Sequence, residues 1–192
     1  MVSTGTEDGV SADPLEHVEL GAVLSLATLL QTAVQRPLTV DDLLTLDATD
    51  AGRMELIDGS LIVTPIADLE HQDLVMQLCL RLSAVLPPGA RVLPGCSVIL
   101  EGGEDDDVLT IPDVAVVDPA KVARKGLGVP PDGLILGVEI TCPSTRRRDL
   151  TIKRDLYAGW NVPLVIIDRK IAPHRYTVFG DVPEWAGSAF SA

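Results

Sequence analysis

Two acidic residues lie inside otherwise apolar stretches of the sequence and are the strongest candidates for chemistry. Asp113 stands in the run from Thr110 to Val117, and Glu139 stands in the run from Leu134 to Thr141. An unpaired carboxylate is costly to bury, so such acids are normally paired, hydrogen-bonded or bound to a metal. On adjacent strands they would form a divalent-cation site of the oxygen-ligand type that Mg²⁺ prefers. The alternative is that either acid forms a salt bridge with a nearby arginine or lies at an exposed strand end.

Three further polar residues follow Glu139 at regular spacing. Asp149, Lys153 and Tyr157 are four residues apart, which places them on one face of a predicted helix. That face can point back at the two acids, where a lysine would orient a water or stabilise charge on a phosphate. The alternative is an ordinary surface ion pair between Asp149 and Lys153.

The densest positive charge of the chain lies in the same region. It comprises Arg146, Arg147, Arg148, Lys153 and Arg154. Guanidinium groups bind phosphate well, so this cluster is the predicted docking point for nucleic acid. A solvated run of charge is the alternative interpretation.

The overall composition restricts how nucleic acid could bind. The formal net charge is -13, from 15 Lys+Arg and 28 Asp+Glu, so the average field repels DNA and any contact depends on a local basic patch. Aromatic residues make up only 3% of the chain, which excludes a surface that binds single strands by stacking several bases.

The cysteines and the apolar segments indicate a reduced, soluble protein. Cys79, Cys96 and Cys142 lie far apart without a C-x-x-C pair, which argues against a zinc knuckle or a disulfide framework. A serine or cysteine hydrolase is not indicated, since the chain has no Gly-x-Ser-x-Gly motif and no cysteine has an obvious histidine partner. The apolar stretch from Leu20 to Val34 is too short to span a bilayer, so we expect a cytoplasmic protein without a membrane partner.

The chain of 192 residues is long enough for one domain with an extension. We predict a disordered tail over residues 1–16, an N-terminal helix over 17–37 and a single domain over 38–192. Within the domain, Asp58-Gly59 predicts a hairpin over 54–63. Periodicity predicts helices over 39–46, 68–86 and 149–158, and strands over 91–100, 108–117, 134–141 and 164–168. This mixture indicates an α/β sandwich with a largely central sheet.

The order of these motifs resembles the Uma-two family of bacterial, restriction-endonuclease-like proteins, within the PD-(D/E)XK nuclease superfamily. The resemblance covers about Leu38 to Phe179. It is carried by Glu55-Leu-Ile-Asp-Gly59, His71, Pro112-Asp113-Val-Ala-Val-Val117, Val138-Glu139-Ile, Pro143-Ser144-Thr145, Asp149 to Lys153, Tyr157 and Val162-Pro163.

The resemblance implies a restriction-endonuclease-like core, a mixed-sheet α/β (α+β) fold with an N-terminal hairpin and helices that flank a central sheet. It implies that Asp113 and Glu139 bind Mg²⁺, or Mn²⁺ in its place. The superfamily lysine normally lies two residues after the glutamate, where this chain has Thr141, so Lys153 is the expected replacement. Glu55 and His71 also match family positions and are accessory candidates. Glu55 could instead pair with Arg53 or Lys153, and His71 could instead cap a helix.

Two functions are compatible with these residues. The first is a Mg²⁺-dependent endonuclease that hydrolyses DNA, with Asp113, Glu139 and Lys153 as catalytic residues, and with Asp149 and Tyr157 as further accessory candidates. A homodimer is then plausible by analogy with enzymes that cut two strands. The second is a catalytically silent binding or regulatory module, which the net charge and Thr141 favour.

We predict that Arg146, Arg147 and Arg148 contribute salt-sensitive affinity for DNA without base readout, because guanidinium groups bind the phosphates that every sequence shares. Replacement of all three by alanine should weaken DNA binding equally across sequences and flatten its dependence on salt. Titration of labelled duplexes at several salt concentrations measures both. Unchanged affinity would identify the cluster as a solvated face.

Overall fold

Two β-sheets form the framework of the computed structural model, which describes residues 26–45, 53–64, 66–103, 106–123, 126–142, 146, 149–170 and 175–190. The smaller sheet has the strand order β2-β1-β5-β4 and the larger has the order β3-β6-β7-β8-β9. The strands are β1 (Arg53–Ile57), β2 (Ser60–Thr64), β3 (Arg91–Pro94), β4 (Val98–Leu100), β5 (Val108–Thr110), β6 (Val114–Val117), β7 (Leu134–Thr141), β8 (Leu164–Asp168) and β9 (Arg175–Phe179).

Within the described residues, five α-helices accompany the sheets. They are α1 (Leu26–Gln35), α2 (Val40–Leu44), α3 (Leu69–Ser83), α4 (Arg154–Gly159) and α5 (Glu184–Phe190). A π-helical turn, Asp149–Lys153, leads directly into α4. Strands β7 and β8 are parallel and the other pairs of the larger sheet are antiparallel. The predicted α/β class with a mixed sheet is therefore confirmed.

Several elements form where local chemistry predicts them. Asp58 and Gly59 have φ angles of 50° and 66° and join β1 to β2 in a tight hairpin. Asp68 caps α3 by accepting a hydrogen bond from the His71 backbone N–H at 2.8 Å. Thr39 and Asp42 form a capping box at the start of α2.

Two predicted strands are wrong in extent, because each is two strands that belong to different sheets. The stretch 91–100 divides into β3 in the larger sheet and β4 in the smaller, with Gly95 at a φ of 61° between them. The stretch 108–117 divides likewise into β5 and β6, on either side of Ile111, Pro112 and Asp113. Proline lacks the N–H that a sheet ladder needs, so the chain leaves one sheet at Pro112 and enters the other.

Strand alternation sorts the larger sheet into two faces. Val114 and Val116 of β6 pack with α3 and α5 on one face, while Ala115 and Val117 pack on the other. Tyr157 of α4 belongs to that second cluster. By the same period of two, Asp113 and Glu139 belong to the face that α4 covers.

The N-terminal helix packs on the smaller sheet. Leu29 of α1 and Val40 of α2 are both fully buried in a cluster with Leu56 of β1. The predicted helix over 17–37 is described from Leu26, and the predicted tail over 1–16 lies outside the described residues. The proposed domain boundaries stay a prediction.

Two elements near the C-terminus were missed by sequence reasoning. Strand β9 reads Arg-Tyr-Thr-Val-Phe, whose β-branched and aromatic residues are a strand signal. Helix α5 follows Pro183 and buries Ala186, Ala189 and Phe190 against the sheet.

None of the described helices is long and apolar enough to cross a membrane. None of the three cysteines, which all lie within the described residues, forms a disulfide, and each is half-buried.

We predict that Gly137→Ala destabilises the fold. A Cβ atom at this position of β7 would lie 2.3 Å from Cε1 of the fully buried Tyr157 ring, so the ring or the strand must shift. Overpacking of this kind costs about 1–3 kcal/mol, measured as a loss in the free energy of unfolding by urea titration. Gly159→Ala is the matched control, since an added Cβ there has no described heavy atom within 4 Å. Equal unfolding midpoints for the two variants would contradict the prediction.

Candidate active site

A pocket of about 540 Å³ lies where the smaller sheet, the larger sheet and the π-helical turn meet. Arg53 of β1, Asp113, Glu139 of β7, Asp149 and Lys153 all line it. Val114 of β6 pairs with Val138 of β7, so the next position along this antiparallel pair sets Asp113 beside Glu139. The structure therefore brings the two predicted acids to one wall of one pocket.

Asp113 is held by three donors. One carboxylate oxygen, Oδ1, forms a short salt bridge with Nη1 of Arg53 and lies 3.2 Å from Nε2 of His71. The other, Oδ2, accepts a hydrogen bond from the Ile140 backbone N–H at 2.7 Å. The alternative interpretation of this acid, a salt bridge to a nearby arginine, is thus realised in the structure.

Lys153 connects the two sheets through a pair of carboxylates. Its Nζ lies 2.7 Å from Oε1 of Glu139 in the larger sheet and 2.9 Å from Oε1 of Glu55 in the smaller sheet. Glu55 Oε1 also accepts hydrogen bonds from Thr110 Oγ1 at 2.8 Å and from the Ile111 N–H at 2.7 Å. All three charged residues are at most 2% exposed.

The other accessory candidates surround this pair. The hydroxyl of Tyr157 donates to Oε1 of Glu139 at 3.4 Å. Asp149 and Lys153 are both buried, so the alternative of a surface pair between them is wrong. They also lie on a π-helical turn, so the regular α-helical spacing expected from Asp149 does not apply. The backbone N–H of His71 donates to Asp68, so Asp68 rather than His71 caps α3. The ring of His71 lies against Asp113, with Nε2 3.2 Å from Oδ1.

The pKa values follow from burial and from these partners. Burial acts to raise the pKa of Asp113, but the hydrogen bond from His71 and the charge of Arg53 hold it below its ordinary value. Burial acts to lower the pKa of Lys153, yet Glu139 and Glu55 raise it, so the ammonium stays charged. Burial raises the pKa of Glu139 to about 8 despite Lys153, whereas that of Glu55 is lowered by Lys153 and Arg53 against the effect of burial.

The donor set fits a hard divalent cation. Four buried carboxylates lie around the two permanent cations Arg53 and Lys153, so negative charge is in excess in this part of the chain. The four acids are Glu55, Asp113, Glu139 and Asp149. Within the described residues no three His, Cys, Asp or Glu side chains form a ready-made metal cluster. Mg²⁺ does not need one, since it is commonly held by one or two carboxylates with waters and substrate phosphates completing the shell.

The predicted basic cluster is only partly assembled at the pocket. Arg146 forms a salt bridge with Asp168 at 2.9 Å, and Arg154 forms one with the exposed Asp155 at 2.7 Å. Arg147 and Arg148 lie outside the described residues. Thr141, at the usual lysine position, is buried with its hydroxyl 3.5 Å from Oδ1 of Asp168.

Sequence reasoning missed the role of Arg53 and a contact of Cys142. Arg53 was considered only as a partner for Glu55, although its place two residues before Glu55 puts both on one face of β1. The expectation that no cysteine has a histidine partner is wrong, since Sγ of Cys142 lies 3.7 Å from Nδ1 of His71. Burial nevertheless raises the pKa of the Cys142 thiol, even beside Arg169, so the cysteine is not an activated nucleophile.

Comparisons with known proteins found a matching family and a similar solved structure. The sequence model of the family named Uma2, described as "Putative restriction endonuclease", matches residues 40–181. A crystal structure from Anabaena variabilis ATCC 29413, described as "a putative nuclease belonging to DUF820", superposes with a TM-score of 0.57 and 21% identity, covering 78% of this chain and 92% of that one. At this identity the likeness shows a shared fold. The chain has no match among curated proteins.

We predict that Lys153→Met lowers the free energy of unfolding by about 3–5 kcal/mol, because it leaves the buried Glu55 and Glu139 without their shared cation. Urea titration measures the loss. Glu55→Gln in the Lys153→Met background should restore part of it, because one buried charge is then removed.

Lys121→Met is the matched control for this prediction. Lys121 pairs with Asp132 at 2.8 Å, but both side chains are largely exposed, so the loss should be about 1 kcal/mol or less. Similar losses for the two lysine variants would show that the buried bridge is not a stabilising contact.

Proposed function

The chain belongs to the Uma2 family, and we propose that it is a Mg²⁺-dependent endonuclease that hydrolyses phosphodiester bonds of DNA. The observation that carries this proposal is the contact between Nζ of Lys153 and Glu139 at 2.7 Å, beside Asp113 in one pocket. Two acids beside a lysine can supply metal ligands and a fixed positive charge for such chemistry. The lysine reaches them from the π-helical turn rather than from position 141 of β7.

Each residue near the pocket has a defined part in this proposal. Asp113 and Glu139 would hold Mg²⁺, or Mn²⁺ in its place. The bound ion would polarise the scissile phosphate and lower the pKa of an attacking water. Lys153 holds the Glu139 carboxylate in place and supplies positive charge next to it.

The accessory residues act through these groups. Glu55 fixes the ammonium of Lys153 from the smaller sheet, and His71 orients the Asp113 carboxylate. Tyr157 donates to Glu139 and closes the buried side of the site. Asp149 adds negative charge to the pocket wall and so favours a bound cation.

DNA is the proposed substrate because the chemistry acts on a phosphodiester, and the predicted basic residues 146–148 and Arg154 follow β7 close to the site in sequence. With a net charge of -13, such local contacts must overcome a repulsive average field. A homodimer in the bacterial cytoplasm, with one site for each strand, completes the proposal.

A catalytically silent binding module is the second candidate. This candidate is favoured because the charged groups of the site already have protein partners. Asp113 is held by Arg53, His71 and the Ile140 backbone N–H. Lys153 is likewise shared between two carboxylates. In that case the cluster is a structural ion-pair network rather than a catalytic one.

We predict that Asp113→Asn and Glu139→Gln each lower the rate of Mg²⁺-dependent plasmid cleavage by on the order of 10²-fold or more. Both changes keep the side-chain shape and remove a ligand charge. Cleavage is measured on supercoiled plasmid and Mg²⁺ affinity by calorimetry, and both should fall. Asp132→Asn, a change at an exposed carboxylate, should alter neither.

The wild-type protein decides between the two candidates. Cleavage with Mg²⁺ or Mn²⁺ that EDTA abolishes supports the nuclease. A folded wild type that shows no cleavage with either metal and no metal binding supports the silent module.

A further inference from the structure

Arg53 is the most accessible permanent cation among the described residues that line the pocket. Its side chain is 26% exposed, whereas that of Lys153 is 1% exposed. The ammonium group of Lys153 forms salt bridges with Glu139 and Glu55, which hold the side chain between the two sheets. Of the two cations, Arg53 is therefore the one placed to meet a ligand that enters the pocket.

The guanidinium of Arg53 has donor capacity that Asp113 does not use. Its contact with Asp113 runs through Nη1. Its Nε–H is shielded from solvent and has no hydrogen-bond partner among the residues that the structure describes. A guanidinium presents five N–H donors in a planar fork that matches the oxygens of a phosphate. A buried unused donor beside a pocket favours an anionic ligand, because such a donor is otherwise costly.

Arg53 also forms its salt bridge with Asp113, one of the two carboxylates that would hold Mg²⁺ in the proposed function. A guanidinium and a divalent cation repel each other, so the two compete for Asp113. When the carboxylate charge is shared with a metal, the attraction between Arg53 and Asp113 weakens. Glu139 and Glu55 also attract Arg53, but both are already paired with Lys153. The nearest new source of negative charge in the pocket is then the phosphate of the substrate.

We infer that Arg53 is a further catalytic residue, which releases Asp113 when the divalent cation binds and donates its guanidinium fork to the non-bridging oxygens of the scissile phosphate. This inference rests on the proposed function and adds to it the group that holds the phosphate. Arg53 would thereby serve as counter-ion of Asp113 in the metal-free protein and as phosphate clamp in the complex. Lys153 then remains the fixed cation of the site.

The test compares Arg53→Gln and Arg53→Lys with the wild type in three measurements. They are Mg²⁺ affinity by calorimetry without DNA, affinity for a short DNA duplex with Ca²⁺ in place of Mg²⁺, and the rate of plasmid cleavage. Arg36→Gln is the matched control, since Arg36 forms a two-oxygen salt bridge with Asp42 away from the pocket. Circular dichroism and urea titration establish that each variant is folded.

We expect Arg53→Gln to change the affinity for Mg²⁺ and the affinity for DNA in opposite directions. Arg53→Gln should bind Mg²⁺ several-fold more tightly, because the competing charge is gone, while duplex affinity falls about 10-fold and cleavage falls on the order of 10²-fold. Arg53→Lys keeps the charge and loses the fork, so Mg²⁺ affinity should stay near that of the wild type while cleavage still falls. Arg36→Gln should leave all three unchanged. If Arg53→Gln does not fold, the folded Arg53→Lys variant decides on cleavage and duplex affinity.

Two results would overturn the inference. Mg²⁺ affinity that is unchanged or weaker in folded Arg53→Gln shows that Arg53 does not compete at Asp113. Wild-type cleavage and duplex affinity in Arg53→Lys show that no guanidinium clamp operates. If the wild type binds Mg²⁺ but neither binds nor cuts DNA, the proposed function fails and the clamp with it. The Mg²⁺ affinities of the wild type and of Arg53→Gln would then still show whether Arg53 and Mg²⁺ compete for Asp113.

Discussion

The buried bridge from Glu55 through Lys153 to Glu139 is the contact on which the rest of the site depends. It ties β1 of the smaller sheet to β7 of the larger sheet through a side chain of the π-helical turn. Each charge is withdrawn from water, so each is tolerated only while its partners are present. The same salt bridges therefore hold the two sheets together and fix the positions of the charged groups in the pocket.

The residue types of the site could be predicted from the sequence, because a carboxylate inside an apolar strand needs a partner wherever that strand lies. This reasoning found Asp113 and Glu139, and the four-residue spacing from Asp149 pointed to Lys153. The family resemblance added Glu55 and His71. What it could not find is which partner each acid takes. Arg53 lies in β1, and its contact with Asp113 follows from how the two sheets meet, which no local pattern encodes.

In the fold, as in the site, the features set by neighbouring residues could be predicted, whereas those set by contacts between distant parts of the chain could not. The Asp58-Gly59 hairpin and the amphipathic α3 are specified by turn chemistry and periodicity, and both form where predicted. The stretch 108–117 reads as one apolar run, yet Pro112 sends its two halves into different sheets. Apolar content indicates that a strand is buried, but it does not indicate against which partner the strand pairs.

The two-sheet origin of the bridge also has a consequence for how the protein folds. Glu55 and Lys153 are distant in the chain, and the segment between them includes strands of both sheets and helix α3. Contacts of such high sequence separation form late, because the cost in loop entropy must be met before they bring any gain. In a partly folded chain these side chains stay hydrated and carry their ordinary charges. Dehydration of the charged cluster thus belongs to the last stage of assembly, and local opening of the pocket is the first route by which water returns to it.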